Sequence, residues 1–308
     1  MPEILITEFM NQSAVDDLAR DFDVHYDPEL YADRDSMVSL LPAARGLIVR
    51  NKTAVDAALL AAAPQLVVIG RLGVGLDNID QTECATRDVA VCPTPGANAE
   101  SVAEYVIGVV ISLLRPALHG SRLLLEGGWP RQQSMGGEIQ SKRLGLVGLG
   151  EIARLVAFKA GALGMRVSAY DPLLPEEDSA WHLAEAATLT EVLSESDAIS
   201  LHIPLLDSTR HLIDAAALNQ MKPDAVLINT ARGGIVDELA LAAALDNGVI
   251  GGAALDVFEH EPLPPNDPIR TCEHVVLTPH TADQNTEGRD LLNSGAVDNI
   301  LAYLAGRP

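Results

Sequence analysis

From residue 144 onward, the chain alternates short apolar runs with stretches of helical pattern, and the runs begin roughly 20 to 30 residues apart. Most of the residues in these runs are apolar, which indicates burial on both faces. Parallel strands that are joined by crossover helices have this pattern, because helices cover both faces of their sheet. Six runs are found: Leu144–Gly148, Arg166–Tyr170, Ala198–His202, Ala225–Asn229, Gly252–Asp256 and His274–Thr278. We therefore predict a doubly wound α/β sheet.

The first hundred residues repeat this alternation on a smaller scale, with runs at Ile4–Ile6, Phe22–Tyr26, Gly46–Val49, Leu66–Gly70 and Val89–Cys92. This pattern predicts a second α/β domain, so that both domains are Rossmann-like or flavodoxin-like. The breaker cluster at 93–96 precedes a predicted helix from about Ala99 to Leu114, with Asn98 as its N-cap. The segment after His280 is a predicted final helix with no strand after it. If it packs on the first domain, residues 97–284 form an inserted nucleotide domain, and residues 1–96 and 285–308 form the substrate domain.

The net charge of −22 excludes several classes of partner. Such a surface repels nucleic acid and anionic lipid, so neither is an expected partner. The chain has no run long enough to cross a bilayer and no basic leader, and its three cysteines lack metal-ligand spacing. We expect a cytoplasmic protein without a bound metal. An anionic substrate would need its own concentrated positive charge in this acidic chain.

A glycine-rich dinucleotide fingerprint follows the strand that begins at Leu144. Gly148 permits a tight turn, Gly150 lets the backbone approach a pyrophosphate, and Glu151 and Ile152 open a helix whose N-terminus favours anions. Asp171 ends the next strand, at the spacing of an acid that binds the ribose. Pro172 and Leu173 follow it where an NADP site often has arginine, so the predicted cofactor is NAD.

Three polar residues come at or just beyond the ends of later strands: Arg232, Glu261 and His280. Each residue alone is commonly a surface or structural group. Because the carboxyl ends of parallel strands lie at one edge of the sheet, we expect the three to lie together. Arginine can bind a carboxylate through two hydrogen bonds, and a carboxylate beside an imidazole raises its pKa and fixes its tautomer. This set predicts hydride transfer on an anionic oxo acid, with His280 as the acid and base.

The chain resembles the D-isomer-specific 2-hydroxyacid dehydrogenases, especially the 3-phosphoglycerate dehydrogenase-like branch. The similar segments cover nearly the whole chain and lie at Val49–Thr53, Arg71–Asp80, Pro95–Asn98, Ser101–Glu104, Asn229–Gly234, Glu261–Pro262 and Thr278–His280. The resemblance implies that Arg232 holds the substrate carboxylate and carbonyl, that His280 is the acid and base, and that Glu261 orients it. It also implies that Thr230, Ala231 and Asp256 line the nicotinamide.

The same resemblance implies further cofactor and partner contacts. His202 and Pro204 would lie on the adenosine side of the cofactor. A homodimer would be built on the helix after Asn98, where small residues such as Ala103 and Gly108 would suit close packing.

The substrate-binding residues are expected in the first domain. The resemblance implies that backbone amides around Val74 and Gly75 bind the substrate carboxylate. Arg50 and Arg71, with Lys52 nearby, are unusual positive charges in an acidic chain and predict a second anion at C3, as in 3-phosphoglycerate or 3-sulfolactate. Asn51 stands where many phosphoglycerate-type members have serine, which leaves the substrate open.

Other readings remain. Glyoxylate or hydroxypyruvate could be the substrate, and formate or phosphite oxidation is a further enzymatic reading. A corepressor-like regulator that senses NAD(H) would come from another class and could share the same fold and the same Arg–Glu–His set. Against it, the chain is strongly acidic and lacks disordered interaction tails.

Overall fold

The structure is a computed structural model that describes residues 1–129, 131, 132 and 134–304. It consists of two compact units. The first comprises Met1–Asn98 and the chain from Gln284 onward, and the second comprises Ala99–Asp283. The first boundary, after Asn98, lies two residues beyond the predicted one, and the second, before Gln284, lies one residue ahead of it. The prediction also assigned residues 305–308 to the first unit, and those four lie outside the described residues.

The first unit is built on one five-stranded sheet whose order is β2-β1-β3-β4-β5 and whose pairs are all parallel. Its strands are β1 (Ile4–Ile6), β2 (Val24–Tyr26), β3 (Gly46–Val49), β4 (Val68–Arg71) and β5 (Ala90–Cys92). Its helices are α1 (Gln12–Ala19), α2 (Arg34–Leu40), α3 (Ala57–Ala61), α4 (Gln81–Thr86) and, at the C-terminal end, α11 (Thr286–Leu304). Short 3-10 turns lie at Leu30–Ala32 and Leu41–Ala43.

Helix α11 packs on β3 and β4 of this sheet and against α1. Ile300 is fully buried there, and its side chain lies where Cβ atoms on Gly46 and Gly70 would come into close contact. The two glycines therefore let the helix approach the sheet closely. The apolar residues of α11 close one face of the first unit's core, with β1, β3, β4 and α1 contributing the rest.

The second unit is built on a seven-stranded parallel sheet with the order β12-β11-β10-β9-β6-β7-β8. Its strands are β6 (Arg143–Val147), β7 (Arg166–Tyr170), β8 (Glu185–Ala186), β9 (Ala198–Leu201), β10 (Val226–Asn229), β11 (Gly252–Leu255) and β12 (Val275–Leu277). Its helices are α5 (Ala99–Leu114), α6 (Ser121–Leu125), α7 (Glu151–Ala162), α8 (Leu189–Glu195), α9 (Ala215–Leu218) and α10 (Glu238–Asp246), with 3-10 turns at Pro116–His119, Ser179–His182 and Pro268–Thr271.

The predicted α/β class with two parallel sheets is confirmed. Two local predictions were wrong. The sequence predicted six strands in the nucleotide domain and missed β8, whose two residues are exposed and give no apolar signal. Asn98 was predicted to cap α5, but its side-chain oxygen is buried without a hydrogen-bond partner.

The strand order reverses between β6 and β9, which are neighbours in the second sheet although two strands, two helices and a 3-10 turn separate them in the chain. Ligands of open α/β sheets bind beyond the carboxyl ends of the strands at such a switch point. Apolar clusters cover both faces of this sheet, one with α5 and α7 and the other with α8, α9 and α10. Among the described residues, no helix has both the length and the hydrophobicity to span a membrane.

Replacement of Ile300 by alanine tests the packing of α11. A buried isoleucine that is cut back to alanine typically costs about 2–5 kcal/mol of unfolding free energy, through lost burial and the cavity left behind. We expect a loss in this range by urea denaturation. The control is Leu291→Ala on the same helix, where the side chain is 57% exposed and the loss should stay within about 0.5 kcal/mol. Equal effects of the two substitutions would contradict the packing described.

Candidate active site

The glycine turn between β6 and α7 lies at the switch point of the second sheet. Gly148 has a φ of +92°, and a Cβ on it would lie 2.5 Å from the carbonyl oxygen of His202. Only glycine fits both the dihedral angle and the close approach. A Cβ on Gly150, by contrast, would meet no atom within 4 Å. The backbone at this turn is therefore open to a ligand.

The residues around this turn fit a dinucleotide. No side chain caps the N-terminus of α7, so its amide groups and the positive end of the helix dipole are directed to the open side at Gly150, Glu151 and Ile152. Ala153, in the third position of the fingerprint, is fully buried and lets the helix pack closely. At the end of β10, the hydroxyl of Thr230 is buried without a hydrogen-bond partner. An unpartnered buried hydroxyl is costly and suits a site that a ligand completes.

Asp171 fastens the glycine turn to the end of β7. Its Oδ2 accepts a hydrogen bond from the Leu149 amide at 2.9 Å, and its Oδ1 accepts one from the Leu173 amide at 3.0 Å. Each carboxylate oxygen retains a second lone pair, so the ribose contact predicted for Asp171 stays compatible with this arrangement and stays a prediction.

On the neighbouring strand end, His202 is a neutral residue. Its Nε2 is hydrogen-bonded to the Ser200 hydroxyl at 2.9 Å, and burial lowers the pKa of His202 to about 4. Pro204 follows in an exposed loop, where its carbonyl accepts a hydrogen bond from the Thr209 hydroxyl. The adenosine contacts predicted for His202 and Pro204 stay predictions.

Arg232 lies in a tight turn at the end of β10. The side chain of Asn229 closes this turn, since it accepts a hydrogen bond from the Ala231 amide at 3.0 Å and donates one to the Arg232 carbonyl at 2.9 Å. Gly233 lies against the turn that follows β11, and a Cβ there would overlap the Phe258 carbonyl. The glycine therefore lets two strand-end turns pack backbone to backbone, which fixes Arg232 relative to the residues after β11.

Glu261 and His280 form a hydrogen-bonded pair. His280 Nδ1 lies 2.9 Å from Glu261 Oε2, and Glu261 Oε1 accepts a hydrogen bond from the Phe258 amide at 3.1 Å. Both side chains are partly exposed, at 38% for His280 and 34% for Glu261. Since Nδ1 is held by the carboxylate, Nε2 is the ring nitrogen that can exchange a proton with a ligand.

The pair shifts both pKa values in the direction that favours its charged form. The hydrogen bond to Glu261 raises the pKa of His280 above its usual value, against the effect of burial, and the negative charges of Glu261, Asp256 and Asp283 add to the rise. Burial raises the pKa of Glu261, but the hydrogen bond and charge of His280, the Phe258 amide and the charge of Arg232 outweigh it, so the net pKa is lowered. Arg232 therefore acts on the same pair, and the structure brings the three predicted residues together in the second unit.

Asp256 makes structural contacts that were not predicted for it. It is 2% exposed, and its carboxylate accepts hydrogen bonds from the Thr278 hydroxyl, the Thr281 amide and the Ala282 amide. Its own carbonyl accepts from the His280 amide at 2.8 Å. Asp256 thus holds the segment that carries His280, a role the sequence reading missed. The nicotinamide contact predicted for it stays untested.

The predicted substrate residues lie in the first unit, at the ends of β3 and β4. The buried carboxylate of Glu8 accepts hydrogen bonds from the amides of Arg50, Lys52 and Thr53, and Asn78 donates to the carbonyls of Arg50 and Thr53. These contacts hold the backbone of the loop and leave the side chain of Asn51 exposed. The sequence predicted a role for this loop but not the roles of Glu8 and Asn78, which hold it.

The second predicted substrate segment follows β4. The guanidinium of Arg71 donates to the Leu72 carbonyl and lies so close over Gly73 that a Cβ there would overlap it. Val74 is 42% exposed and Gly75 is partly exposed. Lys52 is directed elsewhere, since its ammonium group donates to the Tyr31 hydroxyl at 2.9 Å and stacks over that ring. Of the nearby cations, Lys52 is therefore a weaker candidate than the sequence suggested. In the described part of the chain, no cluster of three His, Cys, Asp or Glu side chains could hold a metal ion.

The fold of the second unit and its glycine turn define a dinucleotide-binding protein of the Rossmann type. Residues 107–282 match the family described as "D-isomer specific 2-hydroxyacid dehydrogenase, NAD binding domain". The chain is 49% identical over 308 residues to an (S)-sulfolactate dehydrogenase from Chromohalobacter salexigens, with full coverage of both chains. The chain belongs to the D-isomer specific 2-hydroxyacid dehydrogenase family. It is an NAD-dependent oxidoreductase that acts on CH–OH groups.

Two further comparisons agree with this family. The chain is 37% identical over 306 residues to a D-3-phosphoglycerate dehydrogenase from Mycobacterium tuberculosis, of which it spans only 57% while 99% of this chain is covered. The crystal structure of the TT0316 protein from Thermus thermophilus superimposes with a TM-score of 0.91 at 34% identity and covers 99% of this chain and 97% of that one.

Replacement of Glu261 by glutamine tests the pair directly. Because the carboxylate raises the pKa of His280, its loss should lower that pKa toward the ordinary value for histidine. An NMR pH titration of the ring would measure the change, with the His280 signal assigned by its absence in His280→Gln. Glu259→Gln is the control, since Glu259 contacts His211 and not His280. An unchanged His280 titration in Glu261→Gln would show that the pair does not form.

Proposed function

We propose that this protein interconverts a D-2-hydroxy acid with an anionic group at C3 and the matching 2-oxo acid, with 3-sulfolactate as the leading substrate. The observation that carries the chemistry is the Glu261–His280 hydrogen bond with the positive charge of Arg232 beside it. A proton donor and acceptor next to a fixed cation is what reduction of a 2-oxo carboxylate needs. The resemblance of the whole chain to an (S)-sulfolactate dehydrogenase supports the sulfonate at C3.

The stereochemical label of that relative agrees with a D-specific family. In sulfolactate the CH₂–SO₃⁻ group outranks the carboxylate, because sulfur outranks oxygen at the first point of difference. A centre with the spatial arrangement of a D-2-hydroxy acid therefore receives the descriptor S. We propose that this protein is specific for the D configuration at C2, which in sulfolactate is the S enantiomer.

In the proposed mechanism, Arg232 binds the substrate carboxylate and the oxygen at C2. During reduction, His280 gives the Nε2 proton to that oxygen, and during oxidation it takes the proton back. Glu261 holds the ring by Nδ1 and stabilises its protonated form. The charge of Arg232 stabilises the negative charge that develops on the oxygen, an effect worth a few kcal/mol in comparable sites. The bound nicotinamide supplies or takes up the hydride at C2.

We propose that the remaining contacts come from the residues predicted on the sequence. Arg50, Asn51 and Arg71 would recognise the C3 anion, and the backbone at Val74 and Gly75 would bind the carboxylate. Positive charge at these positions is needed, because the chain as a whole carries −22 and repels an anion. The backbone contacts that hold the Arg50–Thr53 loop support a fixed role for it.

A substrate panel tests the proposed function. All substrates would be compared in the oxidative direction, with NAD and with NADP: (S)-sulfolactate, D-3-phosphoglycerate, and D-glycerate and glycolate as the reduced forms of hydroxypyruvate and glyoxylate. We expect kcat/KM for sulfolactate to exceed that of each other substrate by at least about tenfold, which corresponds to roughly 1.4 kcal/mol of transition-state binding. NAD should be preferred over NADP, because a 2′-phosphate would meet the Asp171 carboxylate. A preference for glycolate or D-glycerate would overturn the proposed substrate and leave the family chemistry in place.

His280→Ala is the control variant for this assay. It should lower kcat by about 10²–10⁴-fold, the usual contribution of general acid–base catalysis. Its affinity for NAD, measured by fluorescence titration, should remain near that of the wild type. Normal turnover in this variant would contradict the role of His280 as the acid and base.

We further propose a homodimer formed around α5 and α6. Large apolar side chains are exposed in and after α6, with Leu125 at 90%, Trp129 at 82% and Met135 at 78%. Gly108 of α5 is open, since a Cβ there would meet no atom within 4 Å. Ala103, the other small residue expected at the interface, is fully buried inside the unit and is not available.

We also propose a cytoplasmic location, which is supported by three free thiols and which cell fractionation would test.

Light scattering would test the dimer, with an expected mass of twice the chain mass of 32.6 kDa. Trp129→Ser should shift the mass toward that of one chain, because it removes a large apolar contact. Leu173→Ser is the matched control, since Leu173 is 90% exposed, compared with 82% for Trp129, but lies far along the chain in the loop after β7. A monomeric wild type, or a Leu173→Ser variant that dissociates equally, would contradict the proposal.

A further inference from the structure

Glu238 is a buried acid in the second unit that the proposed mechanism does not use. It is the first residue of α10, directly after the N-cap Asp237, and it is only 9% exposed. Its Oε1 accepts a hydrogen bond from the Glu259 amide at 2.6 Å. The side chain therefore links the start of α10 to the turn after β11, two residues before Glu261.

The turn after β11 fixes the position of Glu261. The Phe258 carbonyl lies against Gly233, and the Phe258 amide donates to Glu261 Oε1. The Glu259 side chain is paired with Arg210 at 3.2 Å and lies 3.5 Å from His211. Those outer pairs are exposed to solvent and are worth little. The contact to Glu238 is the one made by a buried group, so it carries more of the positional constraint.

The surroundings of Glu238 make its retention costly. Burial raises its pKa, and the negative charges of Asp267 and Glu259 raise it further, against the Glu259 amide and the charge of His260. An apolar residue at this position would avoid that cost but would leave the Glu259 amide without an acceptor. A buried amide left without a partner destabilises the fold, because it has lost its bonds to water and gained none in return. The acid is therefore explained by the amide that it holds.

We propose that Glu238 is a positioning residue for the acid–base pair: by holding the Glu259 amide, it sets the turn that presents Glu261 to His280. The inference rests on the proposed function, because it assigns Glu238 a part in that same site. Glu238 makes no contact with the reacting atoms and acts only through the backbone of the turn. The helix dipole of α10 adds to the preference for an acid at this first position.

Two substitutions separate the acceptor from the charge. Glu238→Gln keeps a carbonyl acceptor at similar length, whereas Glu238→Met keeps the length and suits a helix but has no such acceptor. For Glu238→Met we expect kcat to fall by about 10–100-fold, as misplacement of catalytic groups by about 1 Å can cost, with KM for the nicotinamide cofactor within about twofold. For Glu238→Gln we expect kcat within about threefold of the wild type, because the hydrogen bond is retained.

A second readout does not depend on the substrate. In Glu238→Met the pKa of His280, followed by NMR titration, should fall toward its ordinary value, because Glu261 is no longer held against the ring. The other carboxylates that face His280, Asp256 and Asp283, are unchanged in this variant. The NMR titration needs no substrate, so its result remains valid even if the substrate panel overturns the proposed function. Failure of the Glu238 proposal can therefore be told apart from failure of the proposed function.

Asp237→Ala is the control for general loss of stability. It removes the cap of α10, whose carboxylate accepts from the Ala240 amide at 3.0 Å, without touching the turn after β11. It should lower thermal stability and leave the titration of His280 and kcat near the wild-type values. The proposal is overturned if Asp237→Ala shifts the His280 titration as much as Glu238→Met does, if Glu238→Met shifts neither readout, or if Glu238→Gln is as impaired as Glu238→Met.

Discussion

Parallel pairing of β9, β10, β11 and β12 is the constraint on which the candidate site depends. The three pairs are in register, with Asn229 beside both Leu201 and Leu255, and Leu255 beside Leu277. Because parallel strands run in one direction, all of their carboxyl ends lie at the same edge of the sheet. Residues that are 19 or more positions apart in the chain are thereby brought together. Arg232, Glu261 and His280 each follow one of these strands.

Pairing alone places the turns near one another, and hydrogen bonds from backbone amides to acidic side chains then fix them. Asp256 holds the amides of Thr281 and Ala282, Glu261 holds the amide of Phe258, and Glu238 holds that of Glu259. A charge-assisted bond to a backbone amide is stronger than a neutral one. In a chain with a net charge of −22, few cations are available to pair with buried acids. The backbone amides of the strand-end turns take that place.

Much of this fold and part of this site could be predicted from the sequence, for physical reasons. Short runs of apolar residues mark buried strands, so six strands of the second sheet were found, whereas β8 is two exposed residues and gives no such signal. Gly148 and the Arg232 turn were found because their chemistry is local to a few residues. The roles of Asp256 and Glu238 were not, because each depends on which amide a distant turn brings within reach. Asn98 shows the converse: it is a residue type that often caps helices, but its side-chain oxygen has no hydrogen-bond partner in the structure.

In the Arg50–Thr53 loop, the contacts that fix the backbone are distinct from the side chains that the loop exposes. Glu8 and Asn78 hold this loop entirely through its backbone amides and carbonyls. Backbone groups are the same whatever the side chain, so the side chain of Asn51 can differ between relatives without loss of these contacts. In the proposed mechanism, the chemistry at C2 depends on Arg232, Glu261 and His280, which lie in the second unit. A family with this division can keep one reaction at C2 and vary its substrates through the side chains of the loop.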